Sequence, residues 1–252
     1  MTLLVDIGNS RVKWAQLRPD GKLEAQSAAA YAGWSVRDWS DSLFGDRPVG
    51  RVLAASVAGD SVDARLLAAA KLAGDAGVRF VATTREAAGV RNGYADPALL
   101  GVDRWVAAIG GYAHARGACV VADVGTAATI DVVGADGRHL GGYIVPGPEL
   151  MVASLLRSTS ELGGRHAASC ESVSGEGFAD NTRDAIEGGC RLALAALVDR
   201  CVMDAAVAVG EGPRLLLTGG AAADVLPHLR SPAEHIPDLV LRGLAVLAGK
   251  AT

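Results

Sequence analysis

The sequence predicts an α/β protein made of two similar domains, and three observations support that prediction. A block of strand, turn, strand and hairpin occurs at residues 4–21 and again at 121–137. Self-similarity of this kind marks a duplicated domain. Apolar strands come in groups separated by helical stretches, which favours two α/β layers facing one another. The length of 252 residues also suits two domains of ordinary size.

The repeated block carries the same polar turn in both copies. An Asp-x-Gly turn at 6–8 aligns with a second at 123–125, and both turns also carry small hydroxyl or amide side chains. Each copy ends in an Asp-Gly hairpin, at 20–21 and at 136–137, once one residue is dropped from the alignment. The duplication therefore includes the turns as well as the strands.

Short apolar runs predict the strands of the first half, and residue spacing predicts its helices. Ala and Leu recur at helical spacing over 64–76, and the helical pattern over 102–116 stops before Gly117, which suits a C′ position. Gly, Asn, Asp and Pro predict a loop at 89–101. The predicted strands lie at 3–6, 12–17, 51–56 and 78–81.

The same criteria divide the second half, which begins directly after that helix. The polar, Gly-rich stretch 163–179 predicts a loop or mobile segment. We place the domain boundary between residues 116 and 117, which gives domains of 1–116 and 117–252. The predicted strands lie at 118–123, 129–133, 141–145 and 215–217, and the predicted helices at 150–162, 181–203 and 239–248.

Composition and charge narrow the class of protein. Half of the residues are hydrophobic, which is ample for a core, and the net charge of −4 with scattered Lys and Arg gives no nucleic-acid footprint. No apolar run approaches the roughly 18 residues of a membrane span, and no signal-peptide pattern precedes the first strand. We therefore expect a soluble cytoplasmic protein. We expect free thiols, packed as small hydrophobic groups, at Cys119, Cys170, Cys190 and Cys201.

The first repeated turn has the residues of a phosphate-binding site. Gly8 allows a ligand close to the backbone, whose N–H groups can converge on phosphate oxygens. Asn9 and Ser10 add side-chain donors, and Lys13 adds a cation. A buried carboxylate such as Asp6 is costly unless it binds something positive, for example a hydrated metal ion. The alternative is a tight hairpin with a self-capping Asp, but the presence of two copies favours phosphate binding.

A third Gly-rich turn, Thr218-Gly219-Gly220, follows the strand predicted at 215–217. It can lay backbone against a purine or ribose, or it can be a simple link from strand to helix. Neither G-x-x-x-x-G-K-[ST] nor G-x-G-x-x-G occurs in the sequence. A nucleotide site in this protein must therefore be of another kind.

Gly101-Val102-Asp103-Arg104 stands where the predicted loop meets a helix. An Asp and an Arg in that place can reflect an N-terminal charge preference and a surface pair. They can also combine a carboxylate base with a guanidinium that holds an anionic substrate group. Tyr94, in the same loop, could line that pocket.

Asn181-Thr182 stands at the start of the helix predicted at 181–203. The simplest interpretation is an N-cap, whose side chain accepts a hydrogen bond from the helix backbone. A hydroxyl at a helix start can also face a ligand, so both interpretations stay open.

The chain carries six short motifs in a fixed order. They are Asp6-x-Gly8-Asn9-Ser10, Gly101-x-Asp103-Arg104, Asp123-x-Gly125-Thr126-Ala127-x-Thr129-x-Asp131, Gly141-Gly142-Tyr143-Ile144-x-Pro146-Gly147, Asn181-Thr182 and Thr218-Gly219-Gly220. Taken in order, these motifs closely resemble the type III pantothenate kinases, which belong to the superfamily of acetate and sugar kinases, Hsp70 and actin. The resemblance runs from about residue 3 to about residue 247. Its Gly-x-Asp-Arg and Asp-x-Gly-Thr-Ala motifs are specific in this order, whereas the lone Gly-Gly turn is not. Ser10 stands where the family more usually has Thr.

The resemblance implies a duplicated ribonuclease H-like, actin-like ATPase fold, with two similar domains around a nucleotide cleft. It implies phosphorylation of pantothenate by ATP with Mg²⁺, giving 4′-phosphopantothenate in the first step of coenzyme A biosynthesis. It also implies a homodimer whose sites are shared across the interface. The chemistry agrees, because phosphoryl transfer needs mainly positioning, charge neutralisation and one group that takes up the hydroxyl proton.

The resemblance also implies a role for each motif residue. Asp103 would accept the proton of the pantothenate hydroxyl, and Asp123 would carry a monovalent cation, K⁺ or NH4⁺. The residues implied to bind pantothenate are Tyr94, Gly101, Val102, Asp103, Arg104 and, from the neighbouring subunit, Thr182. The residues implied to bind ATP are Asp6, Ile7, Gly8, Asn9, Ser10, Arg11, Val12, Lys13 and Thr126.

Two other functions are compatible with parts of this pattern. A kinase of the same superfamily could act on another small hydroxyl acceptor, although sugar kinases build the pocket of 101–104 differently. A non-enzymatic accessory transcriptional regulator could lose Asp103. This chain retains Asp103 as well as both repeated turns, which argues against that function.

Overall fold

A computed structural model describes residues 1–45, 48–158, 178–210 and 212–249. Contacts within the chain divide it into two compact units. The first unit comprises Met1–Arg116, Asp136–Leu140 and residues 238–249. The second comprises Gly117–Ala135 and the described residues of 141–237.

Each unit is built from strands and helices that alternate along the chain. The strands are β1 (Thr2–Ile7), β2 (Arg11–Leu17), β3 (Leu23–Ala30), β4 (Arg51–Ser56), β5 (Gly77–Phe80), β6 (Glu86–Ala87), β7 (Val90–Arg91), β8 (Cys119–Val124), β9 (Ala127–Val133), β10 (His139–Pro146), β11 (Arg214–Thr218) and β12 (Ala233–His235). The helices are α1 (Val36–Leu43), α2 (Asp60–Leu72), α3 (Val102–Ala115), α4 (Pro148–Ser158), α5 (Thr182–Val209), α6 (Ala222–Val225) and α7 (Leu239–Leu247). Short 3₁₀ turns lie at Pro97–Leu99 and Leu226–His228.

The two main sheets have the same topology. The five-stranded sheets have the orders β3-β2-β1-β4-β5 and β10-β9-β8-β11-β12. In each, the central strand pairs antiparallel with the strand that follows it, β2 or β9. On its other side the central strand pairs parallel with β4 or β11. The duplication predicted from the repeated block is therefore confirmed strand by strand.

Strand β1 is buried on both faces, as expected for the middle strand of a covered sheet. Leu3, Val5 and Ile7 belong to the core on the side of α1 and α2. Leu4 points to the opposite face because side chains alternate along a strand, and it is also fully buried. Helix α7 packs against β1 and helix α3 against β4. By the same alternation, Asp6 shares the face of Leu4.

Two glycines let helices α3 and α7 approach each other closely. A Cβ added at Gly110 would lie 2.6 Å from the carbonyl oxygen of Leu239. A Cβ added at Gly243 would clash with the carbonyl oxygen of Val106. This contact holds α7 in the first unit, whereas the sequence assigns the same residues to a second domain that continues to residue 252.

Several elements differ from the sequence predictions. Strand β3 and helix α1 are additional, and helix α2 covers 60–72 where 64–76 was predicted. Arg116 takes the left-handed conformation at the end of α3, with φ 54°, where the prediction assigned that role to Gly117. The predicted loop 163–179 lies outside the described residues except for its last two. Strand β3 lacks the apolar alternation that marks a strand, because most of its side chains are exposed Ala, Ser, Gln and Glu.

The prediction of free, buried thiols is confirmed for the cysteines that the structure describes. Cys119, Cys190 and Cys201 are free and buried. Burial raises the pKa of the Cys119 thiol to about 12, so this group stays protonated at neutral pH. Cys170 lies outside the described residues. Across the described ranges, no helix combines the length and apolar character that crossing a membrane requires.

We predict that Gly243→Ala destabilises the protein, because the new methyl group meets the backbone of α3. Overpacking of this kind typically costs about 1–3 kcal/mol in the free energy of unfolding. Gly188→Ala in α5 is the control, since a Cβ there meets nothing within 4 Å and Ala is the better helix former. Urea unfolding followed by circular dichroism measures both. Equal stability of the two variants would contradict the close-contact account of α3 and α7.

Candidate functional site

The first repeated turn (turn 1, residues 8–10) joins β1 to β2. The amide of Gly8 donates to the carbonyl oxygen of Arg11 at 3.0 Å, which closes the turn. Asp6 pairs in register with Lys13, so the carboxylate and the ammonium lie on one face of the sheet. Asn9 and Ser10 are exposed at the tip, whereas Asp6 and Lys13 are half-buried. The turn presents polar groups of both charges beside open backbone.

Tyr31, for which the sequence gives no signal, supports turn 1 from its buried side. The hydroxyl of Tyr31 donates to the carbonyl oxygens of Gly8 and Asn9, at 2.7 and 2.9 Å. Burial raises the pKa of this hydroxyl above its ordinary value, although the charge of Arg65 opposes the shift. Tyr31 therefore stays a hydrogen-bond donor at neutral pH. It follows strand β3, which pairs with β2, so only the sheet topology brings it to the turn.

The second repeated turn (turn 2, residues 125–126) has the same plan in a shorter form. The amide of Gly125 donates to the carbonyl oxygen of Ala127 at 3.1 Å. Three residues separate the paired Val124 and Ala128, whereas four separate Ile7 and Val12 at turn 1. Asp123 is half-buried and Thr126 is exposed, as are their counterparts in turn 1.

Two glycine motifs seen in the sequence lie against turn 2. The amide of Gly147 donates to the carbonyl oxygen of Thr126 at 2.8 Å, and a Cβ at Gly147 would clash with the carbonyl oxygen of Gly125. Gly219 has φ +98°, and a Cβ there would clash with the carbonyl oxygen of Val124 and lie 2.5 Å from a carboxylate oxygen of Asp123. The turn at 218–220 leads into helix α6, so it serves as the strand-to-helix link that the sequence left open.

Asp123 offers one carboxylate at the end of a buried strand. Within the described ranges, no three His, Cys, Asp or Glu side chains form a group that could hold a metal ion. A single half-buried carboxylate can hold a cation whose remaining ligands are waters or oxygens of a bound molecule. Asp123 is in this respect compatible with the cation that the family resemblance implies.

The start of helix α3 gathers a carboxylate and a guanidinium. Asp103 is half-buried, and its Oδ1 accepts a hydrogen bond from the backbone amide of Arg104 at 2.8 Å. A Cβ on Gly101 would lie 2.7 Å from that same oxygen. Glycine before the helix therefore leaves room for the Asp103 carboxylate at the helix N-terminus, where the helix dipole stabilises negative charge.

Arg104 is buried, so the alternative of a surface ion pair at the helix start does not apply. Only 5% of the residue is exposed. Its Nη1 donates to the hydroxyl of Tyr94 at 2.9 Å, and the guanidinium carbon lies 5.8 Å from the centre of the Tyr94 ring. The structure thus brings Arg104 into contact with Tyr94, which lies ten residues earlier, and Asp103 precedes Arg104 at the helix start. All three residues are candidates from the sequence.

Other side chains, not found from the sequence, order the loop of Tyr94. Arg85 donates to the carbonyl oxygens of Tyr94 and Ala95, at 3.0 and 2.9 Å. The amide of Tyr94 donates to the side-chain oxygen of the buried Asn92 at 2.9 Å. His139, fully buried, stacks on the Tyr94 ring with a centroid distance of 6.0 Å. His139 comes from 45 residues further along the chain, so nothing local in the sequence indicates this contact.

Thr182 begins helix α5 and lies at an apolar groove. Asn181 caps the helix by accepting a hydrogen bond from the amide of Asp184 at 3.0 Å, which confirms the N-cap interpretation. Thr182 lines a groove of about 470 Å³ between α4 and α5. The other residues that line the groove include Met151, Leu155, Ala185, Ile186 and Cys190.

Comparison with solved structures identifies the fold. The chain is similar to a Baf family transcriptional activator from Campylobacter jejuni, with a TM-score of 0.59, 22% identity and coverage of 98% and 97%. It is also similar to a ROK family glucokinase from Streptomyces griseus, solved with glucose and AMPPNP, with a TM-score of 0.52, 11% identity and 98% of both chains covered. At such identities the likeness shows the fold alone. The fold is the duplicated actin-like ATPase fold, as the sequence predicts.

Sequence relatives identify the family. The family model of the type III pantothenate kinases matches residues 2–204. The chain is 39% identical over 251 residues to a type III pantothenate kinase of Aromatoleum aromaticum, with 98% of each chain covered. It is 40% identical over 248 residues to one of Azoarcus sp., covering 98% of this chain and 90% of the other. The chain therefore belongs to the type III pantothenate kinase family.

We predict that alanine is tolerated at Gly220 but not at Gly219, its neighbour in the third Gly-rich turn. Gly219→Ala places a methyl against Asp123 and forces Ala into a positive φ, so it should lower the free energy of unfolding by about 2–4 kcal/mol. Gly220→Ala is the matched control, because a Cβ there meets nothing within 4 Å; its effect should stay near 0.5 kcal/mol or less. Chemical denaturation of both variants tests the difference. A harmless Gly219→Ala would mean that turn 2 does not depend on this close approach.

Proposed function

We propose that this protein transfers the γ-phosphoryl group of ATP to the primary hydroxyl of pantothenate, giving 4′-phosphopantothenate and ADP in the first step of coenzyme A biosynthesis. The observation that carries the proposal is the buried Arg104–Tyr94 contact beside the Asp103 carboxylate at the start of α3, in a chain of the type III pantothenate kinase family. Because the reaction consumes ATP, we place it in the cytoplasm.

Asp103 is proposed as the base. Its half-buried carboxylate can accept the proton of the pantothenate hydroxyl as the oxygen attacks the γ-phosphorus and the bond to the β-phosphate oxygen breaks. Arg104 is a buried cation held at a fixed angle by the Tyr94 hydroxyl. Such a guanidinium suits the carboxylate of pantothenate, which needs a positioned positive partner. Gly101 and Val102 would shape the backbone beside it, and Tyr94 would contact the substrate.

The two repeated turns are proposed to hold ATP. The segment 6–13, which contains turn 1, would bind ATP, since its exposed backbone, Ser10 and Lys13 offer donors to phosphate oxygens. Asp6 fits the Mg²⁺ that accompanies ATP, because Mg²⁺ keeps several waters and takes one or two protein carboxylates. Thr126 of turn 2 would add a hydroxyl donor, and Asp123 would hold K⁺ or NH4⁺. Bound Mg²⁺ would neutralise charge on the phosphates during transfer.

Product analysis tests the proposal. The protein is incubated with ATP, Mg²⁺ and pantothenate, with K⁺, NH4⁺ or Na⁺ as the monovalent ion, and products are separated by mass. The proposal expects 4′-phosphopantothenate, formed faster with K⁺ or NH4⁺ than with Na⁺. Phosphorylation of a different hydroxyl compound alone would favour another kinase of the superfamily. Absence of any transfer would favour a non-enzymatic role.

We predict that Asp103→Asn lowers kcat by about 10²–10⁴-fold, which is the usual cost of losing a general base. The affinity for ATP should change little, because both repeated turns are untouched. Steady-state kinetics and ATP titration calorimetry measure the two effects. An Asp103→Asn enzyme with near-normal turnover would show that another group takes the proton.

We also propose a homodimer in which Thr182 completes the pantothenate site of the partner subunit. Small side chains support this arrangement: Ala185, Gly189 and Ala193 lie one turn apart on an exposed face of α5, and Leu192 beside them is 57% exposed. Such a face permits close helix packing between two copies.

Mixing two inactive variants tests the shared site. When Asp103→Asn and Thr182→Ala chains are co-expressed, about half of the dimers are heterodimers, and one site in each carries neither lesion. Action of Thr182 across the interface should therefore restore up to about a quarter of wild-type activity. Action within its own chain would repair no site. A monomer at assay concentration, seen by light scattering, would refute the proposal directly.

A further inference from the structure

Tyr31 contacts two successive peptide groups of turn 1. Its hydroxyl lies within hydrogen-bond distance of the carbonyl oxygens of both Gly8 and Asn9. Tyr31 itself is not among the residues assigned to the reaction. The two carbonyls therefore point toward one buried group on the inner side of the turn.

The geometry of the peptide bond then fixes the direction of the amides. In a trans peptide the N–H points opposite to the C=O of the same group. The carbonyl of Gly8 shares its peptide with the amide of Asn9, and the carbonyl of Asn9 shares its peptide with the amide of Ser10. Both amides consequently point away from Tyr31, on the outer side of the turn. Neither donates a backbone hydrogen bond to another described residue.

Two successive outward amides give the turn an outer surface of partial positive charge, and each amide can donate a hydrogen bond to a phosphate oxygen. Asn9 and Ser10 are exposed, so this surface is open to a ligand. Lys13, half-buried on the following strand, adds positive charge near it. The turn is thus prepared for phosphate oxygens before any ligand arrives, and this lowers the ordering cost of binding.

Tyr31 is itself held in place by aromatic packing. Its ring lies 5.3 Å from that of Trp39, which is fully buried on α1, and Trp39 packs edge-to-face on Trp34 at 5.6 Å. Tyr31, Trp39 and Trp34 thus form one continuous aromatic cluster beside turn 1. A rigid support of this kind keeps the hydroxyl at one position under the turn.

We propose that Tyr31 is a positioning residue for ATP: its hydroxyl holds the peptide groups of turn 1 so that the amides of Asn9 and Ser10 point at the phosphates. This inference rests on the proposed function, since it takes turn 1 as the phosphate site. It adds a second group of residues, Tyr31 with its aromatic support, to the residues that contact the nucleotide.

Turn 2 is held differently, which makes the test selective. There the carbonyl oxygen of Thr126 accepts from the backbone amide of Gly147, a contact that no side-chain substitution removes. At turn 1 the carbonyl oxygens of Gly8 and Asn9 accept instead from the side-chain hydroxyl of Tyr31. Tyr31→Phe deletes that hydroxyl and keeps the ring that packs on Trp39.

The experiment compares ATP and adenosine binding to the wild-type protein, Tyr31→Phe and Ser35→Ala. Ser35 caps helix α1, which carries Trp39, through a hydrogen bond from the amide of Asp38. Ser35→Ala therefore weakens the same helix and leaves the Tyr31 hydroxyl in place. Titration calorimetry gives both affinities, thermal melting gives stability, and ¹⁵N spectra report the amides of Asn9 and Ser10.

We expect Tyr31→Phe to weaken ATP binding about 5- to 20-fold, the loss of one or two hydrogen bonds. Adenosine, which lacks phosphates, should bind unchanged. The Asn9 and Ser10 amide signals should shift or broaden, and the KM for pantothenate should stay near the wild-type value. Ser35→Ala should lower the melting temperature with no effect on ATP affinity.

Four results would overturn the inference, and a fifth would overturn the proposed function on which it rests. Wild-type ATP affinity in Tyr31→Phe would show that the hydroxyl does not position the turn. Equal losses for ATP and adenosine, or an equal ATP loss in Ser35→Ala, would show a general distortion. A wild-type protein that binds no ATP would refute the proposed function, and unchanged Asn9 and Ser10 signals in Tyr31→Phe would separately refute the effect of Tyr31 on the turn.

Discussion

The site residues of this protein depend on one steric constraint: backbone segments meet directly, with a glycine on one side and a carbonyl oxygen on the other. Gly243 lets α7 lie against the backbone of α3, whose first turn carries Asp103 and Arg104. Gly147 and Gly219 bring two further segments against turn 2. A Cβ at any of these positions would occupy the space of a backbone atom, so the segments could not approach without moving. Because the surrounding interior is closely packed, such movement is costly.

The two halves of the molecule share a plan but stabilise their turns by different means. Both turns follow the central strand of a five-stranded sheet and close with an equivalent amide-to-carbonyl hydrogen bond. In the first unit a buried tyrosine on an aromatic cluster holds the turn. In the second unit, backbone amides and glycines do so. Duplication therefore preserved the hydrogen bond that closes each turn, while the length of the turn and the residues that support it diverged.

The helix-start site shows how local sequence and distant packing combine. Asp103 and Arg104 are recognisable from their own motif, and the glycine before them makes room for the carboxylate. The direction of the Arg104 side chain depends on Tyr94, and the Tyr94 ring lies against His139. Burial of a guanidinium is costly unless its donors are satisfied. The loop contacts made by Arg85 and Asn92 therefore matter to the site, although neither belongs to a recognised motif.

The sequence by itself determined the duplication, the central strands, the two Asp-x-Gly turns and the family, because each of these features depends on short contiguous segments. It also indicated the N-cap at Asn181 and the buried, free character of the described thiols. Only the tertiary structure placed α7 with the first unit, and only it revealed Tyr31 under turn 1 and His139 against Tyr94. Those contacts join residues far apart in the chain, and a single sequence carries no periodic signal for a contact made by one side chain or one glycine.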